Sequence, residues 1–453
     1  MTTLRELLAD HGGGTGLAAA VRSGMVSAQA PAAAARAQIA RRDAELHAFT
    51  QATNRAAQGA HGPLSGLPLA VKDNIDVEGT VTSLGRPLAG RLPARADAPA
   101  VAALVRAGAV VVGKTNLPEF ATSAITGNAA FGDAVNPWDV SRTPGGSSGG
   151  SAVAVAAGMS VAALATDTAG SAVIPAALTG VWGLRPSYGT IPVSGVAPLS
   201  PSLDTVGLIA ADADALAVHH AVLVGRAWAP PGDHTGSLRG LRVAVLGGWF
   251  ADVDPDVGEA VAGFAGRLAD QGCRLHTAEL PGAERAFAQA RVIYAAETAA
   301  SIARLAPPGP RYAASVERRR VAPHDAAEVA TARNARDPWQ RTAGSLFAGA
   351  DVLLCPVTPM TAPRLDAGED ATSRLVRFTY PFCFAGLPLV SVPADWPGGL
   401  PAGVMLAGPP GGDDRLLRIA AAIQNVGAAA GTSPPNPRPH SRALGPKTPR
   451  EHS

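Results

Sequence analysis

Thr143-Pro-Gly-Gly-Ser-Ser-Gly-Gly-Ser151 runs without a break into Ala152–Ala165, one of the most apolar stretches of the chain. On composition alone a Gly/Ser run is a flexible linker. A linker would separate two domains, whereas this one leads directly into sequence that has to be buried, which places its backbone inside the fold. Glycines there permit close backbone approach and unusual dihedrals, as an active-site turn requires. The apolar stretch falls short of the ~18 residues a membrane span needs and reads as core.

Around this segment, helix and strand patterns alternate. Leu17–Arg22 and Ala32–Leu46 have helical spacing, Gly66–Val71 reads as a short buried strand, residues 97–107 as a helix and Ala109–Val112 as a β-branched strand. Val181–Leu184 and Leu208–Ala210 are further strands. Strand Leu241–Leu246, amphipathic helix Asp256–Gln271 and strand Arg274–Glu279 make a βαβ unit. A helical stretch Ala283–Leu305, strands Asp351–Cys355 and Leu389–Val392, and a last helix Arg415–Gln424 follow. This order predicts an α/β layered fold without internal repeats. One domain is expected over residues 1–426, with a catalytic core over 60–215, the βαβ and helical region over 238–345 and a return to the core over 346–426. The tail, 427–453, lacks the apolar content to pack and is expected to be disordered.

A formal charge of +2, with 16% charged residues and no basic block, gives no electrostatic footprint for nucleic acid or an anionic membrane. A small-molecule partner is the expectation, with the oligomeric state left open between monomer and homodimer. Cys273, Cys355 and Cys383 form no C-x-x-C pair, so neither a disulfide framework nor a thiolate metal site is indicated. With no apolar secretory segment at the N-terminus, this points to the cytoplasm. The basic residues are almost all Arg, and Lys occurs only at 72, 114 and 447. Lys can lose its proton where Arg cannot, so each Lys beside apolar sequence is a candidate for chemistry.

Thr166-Asp-Thr-Ala-Gly-Ser171 is a second small-residue turn, ahead of a helix Pro175–Leu178 with Pro in its first turn. Amides of such a turn, those of Thr168, Ala169 and Gly170, are free to point at a developing oxyanion. Ser171 acts as a nucleophile only if a base takes its proton. None of the ten His stands in a triad context, and His219-His220 lie on a helix-like run where a structural role fits. Lys72 ends an apolar strand, where desolvation favours the neutral amine.

Two other patterns compete. Gly108-Ala-Val-Val-Val-Gly-Lys114-Thr115 matches a phosphate-binding G-x-x-x-x-G-K-[ST], but its four middle residues are strand-like and Pro118 follows, which leaves no room for the loop. Gly146-Ser-Ser148-Gly-Gly150 fits G-x-S-x-G, yet that elbow needs a strand before it and Asn136–Pro144 is a poor one.

Lys72-Asp-Asn-Ile-Asp76, Gly145–Ser151 and Thr166–Ser171 together resemble the amidase signature family. The spacing agrees, 75 residues from Lys72 to Ser147 and 24 from Ser147 to Ser171. Gly113–Phe120, Pro201–Gly207 and Phe378–Phe382 leading to Gly386-Leu-Pro388 extend the likeness over roughly residues 15–425. The resemblance implies a single large domain on a mixed, twisted β-sheet covered by helices on both faces. It implies catalysis through an acyl-enzyme with Ser171 as nucleophile, Ser147 as bridge and Lys72 as base. No metal or organic cofactor is implied, and a cis bond joins Gly146 and Ser147. Two departures stand out. Ala169 replaces a common Gly, and Val173 and Ile174 occupy positions where members carry an Arg that grips a carboxylate. The substrate is therefore expected to be a neutral small-molecule amide. An allophanate-, biuret- or urea-type amide, or a catalytically altered protein on the same fold, is the alternative.

Overall fold

Short aliphatic runs become the strands of one sheet: β1 (Phe49–Ala52), β2 (Pro68–Lys72), β3 (Val110–Thr115), β4 (Ala162–Asp167), β5 (Trp182–Arg185), β6 (Thr205–Ala210), β7 (Arg242–Leu246), β8 (Arg274–Ala278), β9 (Val352–Pro356), β10 (Leu389–Ala394) and β11 (Ala402–Ala407). The computed structural model describes residues 2–55, 61–227, 238–306, 312–321, 325–394 and 399–427. The strand order is β1-β3-β2-β4-β6-β5-β10-β11-β9-β7-β8. β2 runs parallel to β3 and β4, and β7 to β8 and β9, while the remaining pairs are antiparallel. The central strands are buried along their whole length, which requires helices on both faces. The expected single α/β domain with a mixed sheet is what forms. The expected disordered tail lies, from residue 428 on, outside the described residues.

The strands and helices expected from the sequence stand within a few residues of their places, the βαβ unit included. Missed were β1, β4 and β11. β4 is Ala-rich, with little intrinsic strand preference. It is a strand because β2 and β6 flank it and pair with it. The apolar run thus divides into a helix, Gly149–Ala156, and β4. That helix is buried on every side and packs on β2, β3, β4 and β6. Gly150 is fixed by contact, since a Cβ there would lie 2.5 Å from both the carbonyl oxygen of Ala48 and the amide of Asn116.

Both competing patterns resolve structurally. Lys114 lies within β3, where a phosphate loop would have to begin. No strand precedes Ser148; residues 136–144 form turns and take part in two isolated bridges.

Candidate active site

Parallel pairing of β2 with β4 brings their C-terminal ends together. Lys72, the last residue of β2, therefore emerges beside Thr166 and Asp167. The Ser147 turn is held over the same spot by the helix that begins at Gly149. Lys72 Nζ lies 2.7 Å from Ser147 Oγ and 2.9 Å from Thr166 Oγ1, fully buried, and the Gly146–Ser147 peptide is cis. Burial pulls the Lys72 pKa down to about 7, against the opposing pull of Asp167 and Asp204. Lys114 differs: it is equally buried but paired with Asp73 at 2.8 Å. No carboxylate among the described residues pairs with Lys72.

The Ser171 turn is shaped by Asp167. Its carboxylate accepts from the amides of Gly170 and Ala172, on either side of the serine, each at 2.8 Å. Arg185, fully buried, donates to Asp167 Oδ1 at 2.9 Å and to its carbonyl oxygen at 2.7 Å. Gly170 takes φ +104°, and a Cβ there would strike the Thr379 side chain at 2.5 Å. Ser171 is half-exposed, and its hydroxyl has no hydrogen-bond partner among the described residues, Ser147 included. The two serine segments are joined by Ser148 N–H donating to the Ser171 carbonyl, 3.2 Å.

Of the three amides expected to bind an oxyanion, that of Gly170 is therefore committed to Asp167. Those of Thr168 and Ala169 have no hydrogen-bond partner among the described residues, and neither does that of Ser171. All three residues line a cleft of about 560 Å³. The Thr168 hydroxyl turns away to donate to Asp204 at 2.6 Å.

Val173 and Ile174 do not line the cleft. They are completely buried, packed with Ala177 and Leu178 under the helix Val173–Thr179. Their apolar character is a property of the core, and neither position supplies a cation to the cleft. The far wall of the cleft carries Arg291, Arg318 and Arg319, with Asp325 and Glu328, from helices beyond residue 283. Sequence reasoning missed these arginines, and it missed Thr166, Asn74 and Arg185 around the lysine and the turn. His219 and His220 are buried on the helix Ala213–Leu223, with His219 Nδ1 2.6 Å from the carbonyl oxygen of Ala215, in keeping with a structural role.

The fold and site are thus a mixed eleven-stranded α/β sheet that carries a serine-lined cleft and, beside it, a buried lysine. The chain belongs to the amidase family, the amidase signature enzymes, whose family model matches residues 25–417. It is 36% identical over 416 residues to a glutamyl-tRNA(Gln) amidotransferase subunit of Roseiflexus sp. (strain RS-1), covering 82% of this chain and 85% of that one. It is 34% identical over 464 residues to the AtzE subunit of 1-carboxybiuret hydrolase from Pseudomonas sp. (strain ADP), covering 90% and 97%. A solved structure from a vestigial protein complex that reveals the evolutionary origins of an s-triazine catabolic enzyme superposes with TM-score 0.83 at 32% identity. The match covers 95% of this chain and all of that one.

Proposed function

We propose that the protein hydrolyses a carboxamide-type C–N bond through an acyl-enzyme on Ser171, with Ser147 as bridge and Lys72 as base. The observation that carries this is the Lys72–Ser147 hydrogen bond at a buried lysine whose pKa is near 7. A neutral amine has two N–H groups and one lone pair. With one N–H given to Thr166, the lone pair is free to take the Ser147 proton, and Ser147 in turn that of Ser171. The same route returns the proton to the leaving nitrogen. Thr168, Ala169 and Ser171 amides serve the oxyanion. A fluorophosphonate probe is expected to label Ser171 and to spare Ser148, whose buried hydroxyl donates to the Thr166 carbonyl at 3.2 Å. Labelling at Ser148 would overturn the assignment.

The cleft favours a carboxylate-bearing amide over a neutral one, since three guanidinium groups line it against two carboxylates. The likeness to a 1-carboxybiuret hydrolase points the same way. For a matched pair of amides, kcat/KM should be higher for the anion by about tenfold or more, and Arg291→Ala and Arg318→Ala should narrow the gap. Equal values for the pair in the wild type would restore the neutral substrate. Three free, buried thiols support a cytoplasmic setting. Among the described residues, no helix is long and apolar enough to cross a membrane.

A further inference from the structure

Beside Thr166 and Asn74 lies a second, small chamber of about 50 Å³. Asn74, Thr166, Thr168 and Asp204 give it a polar side, and Val193, which is 44% exposed, lines it as well. Ala121, Thr168 and Leu199 border both this chamber and the cleft, so the two abut.

Hydrogen-bond accounting shows what the chamber is built to hold. Thr166 Oγ1 accepts from Lys72 Nζ at 2.9 Å and from Asn74 Nδ2 at 3.0 Å, which uses both its lone pairs. Its own proton then has no acceptor among the described residues. Asn74 is 4% exposed, and its Oδ1 is buried without a donor. A buried polar atom left without a partner is destabilising. One group needs an acceptor and its neighbour needs a donor. A single water meets both needs, and its second proton is free for the Asp204 carboxylate. The chamber exceeds the ~15 Å³ that one water requires.

We propose that this chamber is a water site and that its water hydrolyses the acyl-enzyme. The inference rests on the serine mechanism above. Once an acyl group and its leaving amine occupy the cleft, the chamber, which meets the cleft at Ala121, Thr168 and Leu199, is a second source of water. The water oxygen bonds to the acyl carbon while the Ser171 Oγ–C bond breaks. A water proton passes to Lys72 through Ser147 and returns to Ser171 Oγ, which leaves a carboxylic acid and free enzyme.

Two variants test this without touching the proposed machinery: Val193→Trp at the exposed wall and Ala197→Leu, at another lining residue, to fill the interior. Pre-steady-state kinetics with an activated aryl ester separate the steps, and the burst amplitude counts folded, competent sites. The burst rate constant is expected to stay within about twofold of wild type while the steady-state rate falls about tenfold. Hydroxylamine, a stronger nucleophile than water, should recover turnover as the hydroxamate. Wild-type steady-state rates in both variants, or equal loss in both phases at full burst amplitude, would overturn the water site. Absence of any covalent acyl-Ser171 in the wild type would instead overturn the mechanism beneath it.

Discussion

Ser171→Ala is expected to lower amide turnover by roughly 10⁴- to 10⁶-fold, the range seen when the nucleophile of a serine hydrolase is deleted. The structure makes this a clean experiment. The Ser171 hydroxyl is half-exposed and holds no hydrogen bond among the described residues, so the alanine removes no contact that the fold uses. The turn keeps its shape through backbone amides and the buried Asp167–Arg185 pair, none of which involves the Ser171 side chain. Thermal unfolding should therefore match the wild type, within about 0.5 kcal/mol. Turnover near wild-type rates in a protein of unchanged stability would remove Ser171 from the chemistry.

Lys72→Arg should be as damaging as Lys72→Ala, again by several orders of magnitude. Arginine preserves the charge and loses the function, because its guanidinium stays protonated at every accessible pH. In the proposed relay the working form is the neutral amine. With a pKa of about 7, that form grows as pH rises, so kcat/KM should climb along an alkaline-going limb centred near pH 7 and level off above it. The limb should be absent from whatever activity the variants retain. Lys114→Arg provides the contrast: its lysine is held by Asp73, so the change should lower stability and leave the midpoint of the limb in place. A Lys72→Arg enzyme with substantial activity, or a limb that moves with Lys114, would reduce Lys72 to a structural part.

The parts of the site that were legible in the sequence are those encoded by chemistry that few residues can perform. A lysine ending an apolar strand in an arginine-rich chain, and serines set in glycine turns next to core sequence, are visible because ordinary folding does not call for them. Thr166 and Asn74 carry no such mark. Their roles appear only when parallel β2 and β4 set their ends side by side. Arg185 looks like any other arginine until β5 carries it, wholly buried, to Asp167. The cleft arginines come from helices read simply as helices, and no local pattern says that residues 291 and 318 will line the same cleft as residue 171. Val173 and Ile174 show the same limit. Residue type was known, but its direction was not, and both side chains point into the core. In the fold, the Ala-rich β4 escaped notice because its strand state is imposed by its neighbours.

Burial of Lys72 has a thermodynamic consequence separate from catalysis. The unfolded chain holds this amine protonated up to about pH 10.5, whereas the native protein releases the proton from about pH 7 upward. Between those values the unfolded state binds one proton more, so this residue makes the native state less stable as pH falls, by roughly 1.4 kcal/mol per pH unit, and the loss stops growing below about pH 7. Lys72→Met cannot titrate. The difference in unfolding free energy between wild type and Lys72→Met should therefore move against the wild type from pH 10 to pH 7 and then become flat. A difference that stays constant over that window would mean that the native amine titrates as it does in water. The same proton that the mechanism moves thus sets a slope in the stability curve, which a denaturation series can read with no substrate present.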